Sequence, residues 1–112
     1  MNIAGKIYFS QNWNGKLDCN FFTTLRLQND NKYIVGESYE IVVKKVPFCV
    51  AKIVEVRYIL LDDINDWVAR LDTGYNADNC KVLLRTMYKH KNIDWRTQKL
   101  AYLMLEKHNP YL

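Results

Sequence analysis

The sequence is poor in the residues from which metal sites and disulfides are built. Its three cysteines, Cys19, Cys49 and Cys80, lie about thirty residues apart, so it has no Cys-x-x-Cys pair. Its two histidines, His90 and His108, have no cysteine or second histidine close by in the sequence. Structural zinc sites need four such ligands, usually in short paired spacings. We therefore expect no metal, no cofactor, and free, mostly buried thiols of the kind found in a reducing cytosol.

Long apolar segments are also missing. The first residues, MNIAGK, lack the apolar stretch of a secretion signal, and no apolar run approaches the roughly 20 residues that span a bilayer. No repeat or low-complexity tract is visible. We expect a cytoplasmic protein without a membrane segment, and its 112 residues fit a single domain over 1–112.

The composition is that of a globular protein. Hydrophobic residues make up 49% and charged residues 25%, which excludes disorder. The net charge of +4 favours an anionic partner such as nucleic acid, although a lysine-rich surface on any small domain explains it equally well.

Alternating apolar residues predict strands in the first half of the chain. Residues 6–10 are the first predicted strand, and residues 11–20, rich in turn formers, are a loop with room for a helical turn. The second and third predicted strands cover 21–27 and 39–43. Residues 48–61 are rich in β-branched side chains and predict one long, bent strand.

The pattern then changes to helical spacing. Four apolar residues follow the i, i+3, i+4, i+7 rule: Ile64, Trp67, Val68 and Leu71. Asp62 or Asp63 is the predicted N-cap, and Gly74 the predicted stop. A second helix is predicted to start at residues 76–78. Residues 99–107 are apolar on both faces, which fits a helix or a buried strand; the order of the other elements favours a strand.

The second predicted strand carries the main candidate site. Its period of two places four residues on an apolar face, which we assign to the core: Phe21, Thr23, Leu25 and Leu27. The other face places a ring, a hydroxyl and a guanidinium side by side in Phe22, Thr24 and Arg26. Arginine suits phosphate through its two-pronged geometry. Phe22, together with Trp13, is a candidate for stacking on a base, with ordinary packing as the alternative.

The order of elements and several short motifs resemble the ASCH domain of the PUA-like superfamily. Thr24-Leu25-Arg26 is similar to the Thr-hydrophobic-Arg core of the ASCH strand motif, and residues 33–39 to its Gly-Glu turn. Residues 51–56 resemble its central strand, and residues 71–75 the start of its helical insert. The resemblance covers residues 3–107. It implies an α+β fold, a small β-barrel of about five to six strands with two short helices.

The resemblance also implies a function in binding RNA or a modified nucleoside. The ligand would lie in a basic cleft beside Thr24 and Arg26. The other cationic residues expected to contribute to this cleft are Lys16, Lys44, Lys45, Lys52 and Arg57. A short charged run on a solvated face is the alternative explanation for the last four.

One ASCH subgroup hydrolyses the acetyl amide of acetylcytidine, and its motif is Lys-x-x-Thr-x-Arg with a glutamate before the last helix. Thr24 and Arg26 match this motif, but Phe21 stands at the lysine position. Asp72 lies near the glutamate position. By this resemblance Thr24 is the candidate nucleophile and Asp72 the candidate general base, with Lys16 as the upstream lysine.

Three functions stay open at this stage. The first is an RNA- or nucleoside-binding module. The second is a hydrolase acting on a nucleic-acid component, either an amidohydrolase or a ribonuclease. The third is a protein-interaction module of phage or mobile-element origin. The sequence does not decide among them, and it does not give the oligomeric state.

Overall fold

The computed structural model describes residues 2–108. They form a five-stranded sheet, two α-helices and two short helical turns. The strands are β1 (Ile3–Phe9), β2 (Phe21–Leu27), β3 (Ser38–Val43), β4 (Val46–Leu60) and β5 (Lys99–Lys107). The helices are α1 (Asp66–Thr73) and α2 (Ala77–Met87), and the helical turns are Trp13–Asp18 and Leu61–Asp63.

The sheet is mixed and open, in the order β1-β3-β4-β5-β2. β1 runs parallel to β3, and all other neighbours are antiparallel. The predicted closed barrel is therefore wrong, because no backbone ladder within residues 2–108 joins the edge strands β1 and β2. Side chains connect them instead. The rings of Phe9 and Phe22 meet edge to face at 6.4 Å, and Leu17 packs in the same cluster.

Two hydrophobic cores cover the two faces of the sheet. The inner core includes Ile7, Phe22 and Leu103, while the outer core packs α1 and α2 against residues such as Leu25 and Leu100. β5 lies between β4 and β2 and contributes to both cores. This central position explains why residues 99–107 are apolar on both faces, and it confirms the predicted strand.

The strand predictions hold with shifted ends. β2 has the predicted bounds, whereas β1 starts at Ile3, before the predicted residue 6. β4 starts at Val46 because Lys44 and Lys45 form the two-residue turn of a hairpin, with φ of 49° and 68°. The chain reverses there, so Pro47 already pairs with Val42.

The helix predictions hold except for one cap. The N-cap of α1 is Asn65, whose side chain accepts a hydrogen bond from the Val68 amide, and not Asp62 or Asp63. Asp63 instead accepts from the Leu60 amide in the preceding turn. Gly74 ends α1 with φ of 85°, a left-handed conformation that glycine adopts without strain. The longest of these helices, α2, has 11 residues, and no helix of residues 2–108 has the length and apolarity to cross a membrane.

We expect Leu103→Ala to destabilise the protein by about 2–5 kcal/mol, because the side chain is fully buried and its removal leaves a cavity. Leu71→Ala is the matched control: the same deletion on an exposed surface should change stability by about 0.5 kcal/mol or less. Urea unfolding of both variants measures the difference. Equal effects would contradict the assignment of β5 to the core.

Candidate functional site

A small cavity opens where the edge strands β1 and β2 approach each other, and we call it the inner cavity. Its volume is about 90 Å³. The walls come from β1, from the Trp13–Asp18 turn, from β2 and from both helices. The residues that give it its chemistry are Phe9, Lys16, Thr24, Arg26 and Asp72.

β2 places Thr24 and Arg26 side by side in this cavity, as its period of two predicted. The Nε of Arg26 donates to Oγ1 of Thr24 at 3.0 Å, and the guanidinium lies 4.6 Å from the ring centroid of Phe9. Burial lowers the pKa of Arg26, which still leaves an arginine charged at neutral pH. Within residues 2–108 no carboxylate forms an ion pair with it.

Lys16 and Asp72 form a buried ion pair beside Thr24. The Nζ of Lys16 lies 3.0 Å from Oδ1 of Asp72, and each side chain is only 7% exposed. The same Oδ1 accepts a hydrogen bond from the Thr23 hydroxyl at 2.9 Å. Burial lowers the pKa of Lys16, although the charge of Asp72 and its hydrogen bond oppose this.

The fold of the Trp13–Asp18 turn brings Lys16 to this position. Asn14 and Gly15 adopt positive φ of 57° and 65°, which bends the turn. The side chain of Asn14 donates to the carbonyl of Arg70 at 3.0 Å and so ties the turn to α1. Asp72 lies two residues further along α1. Lys16 therefore reaches the cavity from a segment outside the β2 motif.

The structure brings together five of the predicted site residues: Trp13, Lys16, Thr24, Arg26 and Asp72. Phe22 lies on the same face of β2 but is only 3% exposed, since its ring packs against Phe9 in the inner core. The assignment of β2 faces needs a correction, because the Phe22 face is core as well. Phe21, predicted to be core, is 53% exposed.

The predicted basic cleft is not continuous. Lys44 and Lys45 lie at the β3–β4 turn, where the amide of Lys44 donates to the Phe9 carbonyl. Lys52 is exposed in the middle of β4. Arg57 is also exposed, pairs with Glu55 at 2.8 Å, and lines a different cavity on the outer face of the sheet. None of these four cations lines the inner cavity.

Three polar neighbours of the site residues are not indicated by the sequence. Thr23, which the period of β2 assigns to the core, donates a hydrogen bond to Asp72. Tyr33 and Tyr88 lie close enough to Arg26 for their phenols to influence its pKa. No pattern in the sequence indicates these contacts, because they depend on how the loops and α1 pack beside the edge of β2.

The described residues do not form a metal site. Within residues 2–108, no group of three histidine, cysteine, aspartate or glutamate side chains lies in an arrangement that could hold a metal ion. The polar residues that line the inner cavity supply two cations, Lys16 and Arg26, one carboxylate, Asp72, and the hydroxyls of Tyr8, Ser10, Thr24 and Thr73.

We expect Lys16→Met to destabilise the protein by about 3–5 kcal/mol, because it leaves the carboxylate of Asp72 buried without its cation. Asp72→Leu removes the other partner and leaves the ammonium group of Lys16 buried without its carboxylate. It should lower the free energy of unfolding by a similar amount. The double variant removes both charges and should recover most of the loss. Urea unfolding of the three proteins gives the coupling energy, and purely additive effects would show that the pair does not interact.

Comparison with known proteins supports the fold. No family model and no curated protein matches the chain. A solved structure does: the crystal structure of protein EF3133 from Enterococcus faecalis V583, assigned to the family DUF984. The two structures superpose with a TM-score of 0.68 over 96% of this chain and 77% of that chain, at 10% sequence identity. At this identity the likeness shows the shared α+β fold alone.

Proposed function

We propose that the inner cavity binds a modified nucleoside, free or within RNA, and that Arg26 is its anchor. The observation that carries this proposal is a partly buried guanidinium that faces a cavity and has no acidic partner within residues 2–108. A buried charge without a partner is costly. A ligand that supplies a phosphate or a carbonyl oxygen would offset that cost.

The hydrogen bonds of the site define what the ligand must offer. The Thr24 oxygen accepts from Nε of Arg26, which leaves the Thr24 proton free to donate. Arg26 keeps its other N–H groups as donors. The ligand atoms facing this pair must therefore be acceptors. The edge of a pyrimidine, with its carbonyl oxygen and ring nitrogen, has this character.

The size of the cavity supports a small ligand group. Sites for drug-sized ligands measure about 300–1,000 Å³, and the inner cavity has about 90 Å³. A single base edge or an acyl group fits this scale better than several nucleotides. The remainder of a nucleoside or RNA would lie outside, where the positive charge of the chain favours phosphate.

We further propose that the chain is a divergent relative of ASCH domains. Thr24 and Arg26, the two matched positions of the motif, line one cavity together. Asp72, the candidate general base, lines the inner cavity as well. The open sheet departs from the expected barrel, so the relationship is supported by the site and by the order of the elements.

A hydrolase is the second candidate, and one observation favours it: Lys16, from the Trp13–Asp18 turn, lines the inner cavity. Phe21 occupies the motif position of the lysine, but Lys16 supplies an amine that is held by Asp72. The lowered pKa of Lys16 increases its neutral, proton-accepting fraction. Such a site contains a hydroxyl, a base and a cation for a developing oxyanion.

The amide hydrolysis proposed here has two steps. Lys16 takes the proton of the Thr24 hydroxyl while Thr24 Oγ1 attacks the acetyl carbonyl, and Arg26 stabilises the oxyanion. The C–N bond then breaks, and the amine of cytidine leaves with the proton from Lys16. Water hydrolyses the acetyl ester on Thr24, which releases acetate and restores the hydroxyl.

We expect Arg26→Ala to weaken the binding of acetylcytidine at least about tenfold, because a hydrogen bond from a charged group contributes about 1.5–3 kcal/mol. Isothermal titration calorimetry measures the affinity. Arg96→Ala, which removes an exposed arginine, is the matched control and should bind like the parent protein. Arg26→Lys keeps the positive charge but loses the paired N–H donors of the guanidinium, so it should recover only part of the affinity. Equal affinity for Arg26→Ala and the parent protein would refute the site.

We expect Thr24→Val to abolish the release of acetate from acetylcytidine if the cavity is catalytic, since the variant keeps the shape of the side chain but has no nucleophile. Chromatography of cytidine and acetylcytidine follows the reaction. Thr86→Val is the control, because its hydroxyl only bonds the Val82 carbonyl on α2. Full turnover by Thr24→Val would contradict the mechanism, and no turnover by the parent protein would leave binding as the function.

A further inference from the structure

A second cavity lies on the outer face of the sheet, and we call it the outer cavity. Its volume is about 290 Å³. Its lining includes Thr23 from β2, Arg57 from β4, Trp67 and Leu71 from α1, and Tyr102 from β5. The ring of Trp67 is 78% exposed, so the outer cavity is open to solvent.

A chain of polar groups connects the two cavities past the edge of β2. In the inner cavity, Lys16 contacts Oδ1 of Asp72 at 3.0 Å. The hydroxyl of Thr23 donates to that same oxygen at 2.9 Å from the outer side. Thr23 itself lines the outer cavity, so its hydroxyl connects that cavity to Asp72 in the inner one.

The direction of the hydrogen bond between Thr23 and Asp72 is fixed by the single proton of the hydroxyl. Thr23 donates this proton to Oδ1 of Asp72, which accepts it. The polar chain therefore runs from Thr23, in the lining of the outer cavity, through Asp72 to Lys16 in the inner cavity.

We propose that Thr23 is a positioning residue for Lys16: its hydroxyl shares Oδ1 of Asp72 with the ammonium group and so couples the outer cavity, which Thr23 lines, to the inner one. The role assigned to the inner cavity rests on the proposed function, but the coupling itself does not. Asp72 shares one oxygen between two donors. Removal of Thr23 as a donor leaves that oxygen to Lys16 alone and strengthens the ion pair.

The surroundings of Lys16 allow this effect to be isolated. The charged or titratable groups that act on it are Asp72 of α1, Arg26 of β2 and Cys80 of α2. Thr23 carries no charge. A change in the titration of Lys16 on replacing Thr23 must therefore pass through Asp72 or through a shift of the backbone.

The test is a pH titration of the Lys16 side chain by nuclear magnetic resonance in the ligand-free protein, with the signal assigned by its loss in Lys16→Arg. We expect Thr23→Val to raise the proton affinity of Lys16 about two- to tenfold, the equivalent of one ordinary hydrogen bond. Thr23→Ser restores the hydroxyl and should titrate like the parent protein.

Thr86→Val is the control for a general effect of losing a hydroxyl, and it should leave Lys16 unchanged. If Thr23→Val is too unstable to titrate, Thr23→Ala, which also removes the hydroxyl, carries the test. An unchanged titration in the variants that fold would overturn the proposal. Because no ligand is present, loss of acetylcytidine binding in Arg26→Ala neither supports nor excludes this result. The two proposals therefore fail separately.

Discussion

The buried contact between Lys16 and Asp72 is the interaction on which the site depends. It joins the Trp13–Asp18 turn to the last turn of α1, and Thr23 adds the edge of β2 to the same oxygen. Three segments are therefore held together at one carboxylate, and α1 is separated from the other two by 49 residues or more at this contact. A buried ion pair of this kind contributes little net stability compared with a hydrophobic pair, but each partner requires the other. The position of this ion pair, more than the free energy that it contributes to folding, gives the inner cavity its shape.

The same contact determines the charge that a ligand meets. Asp72 is the carboxylate that lines the inner cavity, and its Oδ1 already accepts hydrogen bonds from Lys16 and Thr23. Arg26 donates to Thr24 and has no acidic partner within residues 2–108. Two cations against one carboxylate leave the inner cavity with an excess positive charge. That excess suits a ligand rich in acceptor atoms, whether the site only binds it or also cleaves it.

The sequence predicts what depends on periodicity and misses what depends on packing between distant segments. The strand over 21–27 and the pairing of Thr24 with Arg26 on one face follow from local patterns, and the structure has both. The apolar pattern of residues 99–107 fits a helix as well as a strand, and the central position of β5 in the sheet explains it. Lys16 and Asp72 are 56 residues apart, so no local pattern connects them. The closure of the sheet was also beyond the sequence, because the side chains between β1 and β2 decide it. Burial on both faces of β2 likewise depends on the helices that cover its outer face.

The sharpest test of Arg26 as a ligand anchor is to follow its Nε–H signal in a ¹⁵N spectrum while acetylcytidine is added. This proton is hydrogen bonded to Thr24 inside the cavity, so it reports on that site alone. If the inner cavity is the ligand site, the signal shifts progressively and saturates with the same affinity as the calorimetric binding curve. A saturating shift elsewhere in the spectrum, with the Arg26 signal unmoved, would show that the nucleoside binds at another surface.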